Sequence, residues 1–374
     1  MELALYCPNC GYYEKEEDII GGRGDYYTSV SVASLFGELL AYQFADWLEG
    51  CQPSRPRRGG WGMAREVIRI VEAGAHGGRL AGDILTWIMQ NRPALSGQLQ
   101  YWILEPSDRR RAWQRQNLAA FGDRVRWATN FAELAGVVNR PKGLRTPEGI
   151  RGVIFSNELL DAMPIHRLSW DAKTRMWFEW GVKLQSGGFV WTRMLGEDVR
   201  SENPASHATS LTARLGSAIE NELLKTLSDG FTVEVCPAAE HWWREAANAL
   251  GCGKLLAIDY GLTAEEFFVP ARKDGTLRAY HRHGLNSDVL ACPGAQDITA
   301  HVNFTAIQAA GEAAGLKTDA FLTQAQFLTG IAARVWKAGD APEEWSSERS
   351  RQFQTLTHPE HLGRSFRVLV QSRM

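Results

Sequence analysis

The chain has 374 residues and a formal net charge of −2. That length suits one elaborated α/β domain with a proper core, and the near-neutral balance excludes the electrostatic footprint of a nucleic-acid-binding protein. No apolar run approaches a bilayer span, and Met1-Glu2-Leu3-Ala4 lacks the basic start of a secretory signal, so a cytoplasmic protein without membrane insertion is expected.

Cys7-Pro8-Asn9-Cys10 has the spacing of half a zinc site or of a redox pair. Cys51, Cys236, Cys252 and Cys292 are scattered and supply no second CxxC, so the segment reads as a turn with two thiols and no metal is expected. Arg55-Pro56-Arg57-Arg58 and, further on, Arg109-Arg110-Arg111 read as solvated loop or helix faces. The first informative element is Val67 to Glu72, an apolar strand ending in an acid, followed by Gly74-Ala75-His76-Gly77-Gly78 and a helix from about Arg79 to Gln90. A dinucleotide fingerprint needs G-x-G-x-x-G at such a strand end. Here the glycines miss that register, and the preceding acid suits a cationic ligand without a phosphate.

Gln100 to Glu105 forms a second apolar strand ending in an acid, placed to accept both hydroxyls of a ribose. An amphipathic stretch from Asp108 to Ala120, a short strand at Val125 to Ala128 and a buried strand from Gly152 to Glu158 follow. Alternating strands and helices argue for a mostly parallel sheet, in which Glu72, Glu105, Asn157 and Glu158 point into one crevice at the carboxyl ends. From Ile165 to Met194 the pattern becomes antiparallel hairpins with Trp170, Trp177, Phe178 and Trp180 covering a core or an interface. Thr209 to Leu227 reads as a helix, Phe231 to Val235 as a strand, Ala238 to Leu250 as a helix and Leu255 to Asp259 as a buried strand. Residues 260–305, rich in Gly, His and Asp, read as a long functional loop. Val302 to Ala314 is expected to be helical and Ser365 to Val370 a closing strand.

Several words of this chain together resemble one family, the MidA-like S-adenosylmethionine-dependent methyltransferases, which include the mitochondrial complex I assembly methyltransferase. They are Gly24-Asp25-Tyr26-Tyr27-Thr28 with Phe36-Gly37, Glu72 through Leu80, Asn157-Glu158-Leu159-Leu160-Asp161-Ala162-Met163-Pro164, Ile258-Asp259-Tyr260-Gly261, Gly275 through His283, and Gly294-Ala295-Gln296-Asp297-Ile298-Thr299-Ala300-His301-Val302. The resemblance spans nearly the whole chain, and the Asn157 and Gln296 words carry most of its specificity. It implies a Rossmann-like class I methyltransferase fold: one domain over 1–374, with a seven-stranded, mostly parallel sheet. It further implies an N-terminal helical cover over 1–60, an inserted hairpin and helix region over 165–230, and a substrate-side loop region over 260–305. By the same likeness S-adenosyl-L-methionine is the cofactor, and Tyr27, Thr28, Glu72, Gly74, Gly78, Glu105, Asn157 and Glu158 line its pocket. The family usually has glycine where this chain has His76, which is expected to face solvent.

For the complex I assembly relative the resemblance implies arginine methylation on a protein, such as a respiratory complex I subunit, and leaves a homodimer open. A guanidinium is protonated at any physiological pH and is a poor nucleophile, so carboxylates must grip and orient it. Glu158 and Asp161 are the expected catalytic acids: if Asn157 to Asp161 enters a helix, the two lie three residues apart on one face. Asp259, Tyr260, His283, Asp297 and His301 are the expected substrate-side residues. His281, His283 and His301 match no metal-ligand spacing. Two other readings stay open on the residues alone: an assembly factor that keeps the fold and docks a partner, and a nicotinamide oxidoreductase.

Overall fold

The computed structural model describes residues 1–15, 28–50, 67–138, 149–194, 226–281, 284–338 and 345–374, with positions 211 and 224. The expected helix from Thr209 to Leu227, together with Tyr27 and His283, lies largely outside them. In chain order the strands are β1 (Ile68–Ala73), β2 (Leu99–Leu104), β3 (Val125–Ala128), β4 (Ile150–Asn157), β5 (His166–Asp171), β6 (Met176–Gln185), β7 (Gly188–Arg193) and β8 (Thr232–Val235). They continue with β9 (Leu250–Leu262), β10 (Arg278–His281), β11 (Gly284–Asn286), β12 (Asp297–Thr299), β13 (Val302–Asn303), β14 (Lys317–Thr323) and β15 (Phe366–Arg373).

The central sheet runs β14-β15-β9-β4-β1-β2-β3, with β13 pairing β9 beside that path. β3, β2, β1, β4 and β9 are mutually parallel, and β15 is antiparallel to both β9 and β14. This is the mostly parallel, Rossmann-like sheet the sequence leads one to expect. From β1 the chain moves outward through β2 and β3, then returns to lay β4 on the other side of β1. The crevice at that reversal is where a doubly wound sheet binds its ligand.

Helices cover both faces of the sheet, which is why β1 and β4 are buried at almost every position. Ile68 and Ile70 pack into one buried cluster with Leu39, Leu40, Leu80 and Ile84; Val71 and Ala73 pack into the opposite one with Trp243, Ala246 and Ile307. The first layer draws on the helix Leu35–Gly50, part of the expected N-terminal cover, and on the helix Arg79–Asn91. The hairpins between Ile165 and Met194 are present as a four-stranded sheet, β7-β6-β5-β8. In it Trp170 is buried against Trp177, and the Trp180 indole donates to Ser169 Oγ at 2.7 Å.

Residues 260–305 are not one long loop. β10 pairs with both β11 and β12 in a three-stranded sheet whose Ala279 and Ile298 are buried with Leu5 and Tyr12, so the N-terminal segment forms its other side. The helix expected from Val302 starts at Phe304, capped by Asn303, because Val302 and Asn303 first pair with Gly261 and Leu262. β14 and the helices Gln324–Ala338 and Ser347–Thr357 were not anticipated.

One buried polar residue ties three of these elements together. Gln371 on β15 accepts from the Trp243 indole at 2.8 Å and donates to Gln308 O at 3.0 Å and Thr318 Oγ1 at 2.9 Å. Gln371→Leu leaves the buried Trp243 indole N–H without its acceptor, so it should cost about 1–3 kcal/mol. Urea unfolding of the variant is expected to show a lower midpoint with an unchanged slope; a change below about 0.5 kcal/mol would show that the network contributes little.

Candidate active site

β1 delivers Glu72 and Ala73 to the crevice, and the chain then turns tightly through Gly74 (φ 77°), His76 (φ 46°) and Gly78 (φ 84°) into the helix Arg79–Asn91. Gly78 occupies the N-cap in a left-handed conformation, and no side chain caps the first turn, so its N–H groups are available to a ligand. A cavity of about 340 Å³ opens over this turn. Its wall includes Thr28, Glu72, Gly74, Gly78, Asn157 and Glu158, six of the expected residues, together with Tyr6, Tyr13 and Arg110.

Glu72 is buried and accepts from the Tyr101 hydroxyl at 2.7 Å. Burial pushes its carboxyl up to about 7, with the Tyr101 bond opposing the rise. Thr28 caps the short helix Ser29–Val32, its hydroxyl accepting from the Ser31 N–H at 3.1 Å. Glu158 is half-buried in the cavity wall: desolvation there pushes its carboxyl up to about 8, although it accepts from Asn157 Nδ2 at 3.0 Å and from the Ser29 N–H at 3.2 Å. Asn157 is 8% exposed, and its Oδ1 has no hydrogen-bond partner among the described residues. An orphaned acceptor in a cavity wall is a place for a ligand N–H.

Glu105 lies just past β2 and lines a second cavity of about 880 Å³, which shares Tyr6, Gly74, Arg110 and Leu159 with the first. Its carboxylate accepts from the Ser107 N–H at 3.0 Å and from Gln114 Nε2 at 3.2 Å, with the Arg110 guanidinium 3.8 Å away. Burial still raises its pKa, against the pull of Arg110. Four lone-pair sites leave it able to accept further hydroxyls.

The stretch after β4 is a turn, not a helix, so the expected pairing of Glu158 and Asp161 on one helix face does not form. Glu158 sits at φ 51°, and Asp259 intercepts the backbone beyond it, accepting from the N–H groups of Leu159 at 3.1 Å and Leu160 at 2.8 Å. Asp161 is buried away from the cavity lining and hydrogen-bonds to Asp259. Burial raises both carboxyls, Asp259 to about 7. Asp161 is the member that holds the proton, because Asp259 already accepts from three backbone N–H groups.

The substrate-side expectations separate. Asp259 braces the turn, and the Tyr260 ring packs on Phe366 with centroids 4.0 Å apart. Asp297 accepts from the Tyr13 hydroxyl at 2.7 Å and so anchors a residue of the cavity wall. His301 borders a separate void of about 20 Å³, where burial pushes its imidazole down to about 4.

Two readings are corrected. His76 does not face solvent: its ring stands edge-on to Trp113 at 5.0 Å, and burial, then Arg110, pushes its pKa down to about 3. Arg110 is no solvated helix face, for its Nε donates to Tyr13 O at 3.0 Å and its guanidinium lies 5.2 Å from the Tyr13 ring. Tyr6, Tyr13 and Arg110 escaped sequence reasoning. The usable signal was position, since the arginines directly follow the acid that ends β2.

Comparison with known proteins bears on the ligand. The profile of the S-adenosyl-L-methionine-dependent methyltransferases matches residues 39–322. A candidate methyl transferase from Burkholderia thailandensis, crystallised with S-adenosyl-homocysteine, is 30% identical with a TM-score of 0.75, covering 100% of this chain and 86% of its own. Mitochondrial protein arginine methyltransferases NDUFAF7 from Xenopus laevis and Mus musculus are 26% and 28% identical, covering 100% and 98% of this chain and 80% and 78% of theirs. The residues present fit such a cofactor: a glycine turn at an uncapped helix start, a carboxylate past β2 for ribose hydroxyls, and a buried carboxyl at Glu72 for an ammonium group. The chain belongs to the S-adenosyl-L-methionine-dependent methyltransferase family.

Proposed function

We propose that this methyltransferase acts on an arginine side chain of a protein, with a respiratory complex I subunit as the acceptor the resemblance implies. The observation that carries the reading is the pair Asn157 and Glu158 in the cavity wall, an orphaned buried oxygen beside a carboxylate that accepts only two hydrogen bonds. The relatives' names point the same way.

S-adenosyl-L-methionine, when bound, supplies a methyl group on a sulfonium centre. The protein's task is then to align a nitrogen with that carbon and to keep water out. Asn157 Oδ1 and Glu158 accept N–H bonds from the guanidinium and fix which nitrogen faces the methyl group. Glu158 must be ionised to do so. With no cation beside it, desolvation holds this carboxyl at about 8, protonated near neutral pH, and an entering cation favours the carboxylate. Tyr6 and Tyr13, stacked with ring centroids 5.6 Å apart, close the wall on the N-terminal side.

Glu158→Gln keeps the shape and the Ser29 contact while removing the charge. It is expected to bind S-adenosyl-homocysteine within about threefold of wild type by calorimetry and to lose on the order of a hundredfold or more in transfer of labelled methyl to protein. Full activity in the variant would remove Glu158 from the reaction.

The raised pKa sets a direction for pH. Because the ionised form of a carboxyl titrating at about 8 is required, kcat/KM for wild type should climb with pH and level off above about 8. The same limb should be missing from the residual activity of Glu158→Gln. A wild-type profile that stays flat from about pH 6 to about pH 9 would exclude this role.

A further inference from the structure

The N-terminal CxxC has no part in the transfer reaction, yet the fold places it against the cofactor cavity. The helix Glu2–Tyr6 ends at Cys7, and the next three residues fold into a turn closed by Cys10 N donating to Cys7 O at 3.2 Å. A turn of this kind holds its end Cα atoms within about 7 Å, inside the span a disulfide bridges. The two thiols meet with Sγ atoms 3.1 Å apart; Cys10 is exposed and Cys7 half-buried.

The residues around the turn belong to the cavity. Pro8 and Asn9 line the wall shared with Glu105, and Tyr6 lines both cavities while its hydroxyl donates to Ala162 O at 3.1 Å. On the far side Tyr13 holds Asp297 and receives Arg110, and Glu14 accepts from Ser107 Oγ at 2.7 Å and Arg109 Nη1 at 2.6 Å. The turn is therefore gripped at both ends by groups that shape the site.

We propose that Cys7 and Cys10 form a peroxide-sensitive dithiol–disulfide pair whose oxidation weakens cofactor binding. The Cys7 thiolate attacks one oxygen of hydrogen peroxide, breaking the O–O bond to give Cys7 sulfenic acid and hydroxide, which takes a proton to become water. Cys10 then attacks Cys7 Sγ: the S–S bond forms, the S–O bond breaks, and hydroxide leaves as a second water with the Cys10 proton. Two thiols lose two electrons and the peroxide gains them; a dithiol reverses the change by exchange. Hydrogen bonds from the Cys10 thiol and from the Asn9 and Cys10 N–H groups hold the Cys7 thiol below its ordinary value and make it the attacking member. Forming the bond requires the sulfurs to close by about 1 Å. That contraction pulls Pro8 and Asn9 out of the wall and shifts Tyr6.

The test uses full-length protein, reduced with dithiothreitol or treated with hydrogen peroxide and then desalted. Peptide mapping should show a Cys7–Cys10 peptide lacking two hydrogens, and calorimetry with S-adenosyl-homocysteine should show affinity lower by on the order of tenfold, the loss of about one hydrogen bond. Dithiothreitol should restore it. The double variant Cys7→Ser, Cys10→Ser should bind as reduced wild type does with or without peroxide, and Cys10→Ser should stop at a sulfenic acid on Cys7 that dimedone traps. Absence of the disulfide, equal affinity in the two states, or the same loss in the double variant would overturn the proposal. It rests on the cofactor reading of the cavity: reduced protein that binds no S-adenosyl-homocysteine would sink that reading and the coupling together, whereas equal binding in both states sinks the coupling alone.

Discussion

The carboxylate of Asp259 is the constraint on which the site depends. β9 runs parallel to β4 with Ile258 opposite Asn157, so the next residue of β9 meets the chain as it leaves β4. There Ile258 O accepts the Glu158 N–H at 2.9 Å, and Asp259 accepts those of Leu159, Leu160 and Tyr260. The clamp holds Glu158 in a left-handed conformation that costs a non-glycine residue of order 1 kcal/mol. It also swings the Glu158 side chain onto the Ser29 N–H, in the cavity wall. Without that clamp the segment would be free to start a helix, with Glu158 and Asp161 on one face and neither held against the N-terminal segment.

Burial then decides the charge state. Desolvation pushes Glu72, Glu158 and Asp259 up to about 7 or 8 and raises Asp161 well above the usual carboxylate range. Glu158, Asp161 and Asp259 also repel one another when ionised, so the protein without ligand keeps most of these protons. The site is in this sense prepared for cations. A positively charged ligand stabilises the ionised carboxyls that face it, while Asp161 and Asp259, behind the wall, share a hydrogen bond and need no ligand. The cluster divides into acids that brace and acids that bind.

That division explains what could be read from the chain alone. The strands β1, β2 and β4 were legible because burial on both faces makes them apolar runs, and the acids at their ends mark the crevice whatever the loops do. Glu72, Gly74, Gly78, Asn157 and Glu158 fall together for that reason, whereas Thr28 was reached only through the resemblance. Asp161 misled because the helix-like spacing after Asn157 is a local signal, overridden by a carboxylate about a hundred residues away in sequence. Residues 260–305 misled because strands of three or four residues leave too short an alternation to detect, and the buried partners of Ala279 and Ile298 are Leu5 and Tyr12 at the opposite end of the chain. The same distance hid Tyr6 and Tyr13. Arg110 was hidden by its neighbours, since three consecutive arginines look alike until one of them finds a tyrosine ring.

His76 completes the account of the turn. Its backbone carbonyl accepts from Gln114 Nε2 at 2.8 Å, and the same amide nitrogen reaches Glu105 while the Gln114 oxygen accepts from Trp127. With its ring against Trp113, the residue is fastened to the helix Asp108–Asn117, which also carries Arg110. The turn after β1 and the wall after β2 are thereby positioned by one helix. A histidine here would harm a site meant for a sulfonium if it were charged. Burial and the nearby Arg110 guanidinium push its pKa to about 3, so it is neutral throughout the physiological range and adds no repulsion. What position 76 supplies is an aromatic contact, at the cost of a left-handed backbone that glycine would adopt freely.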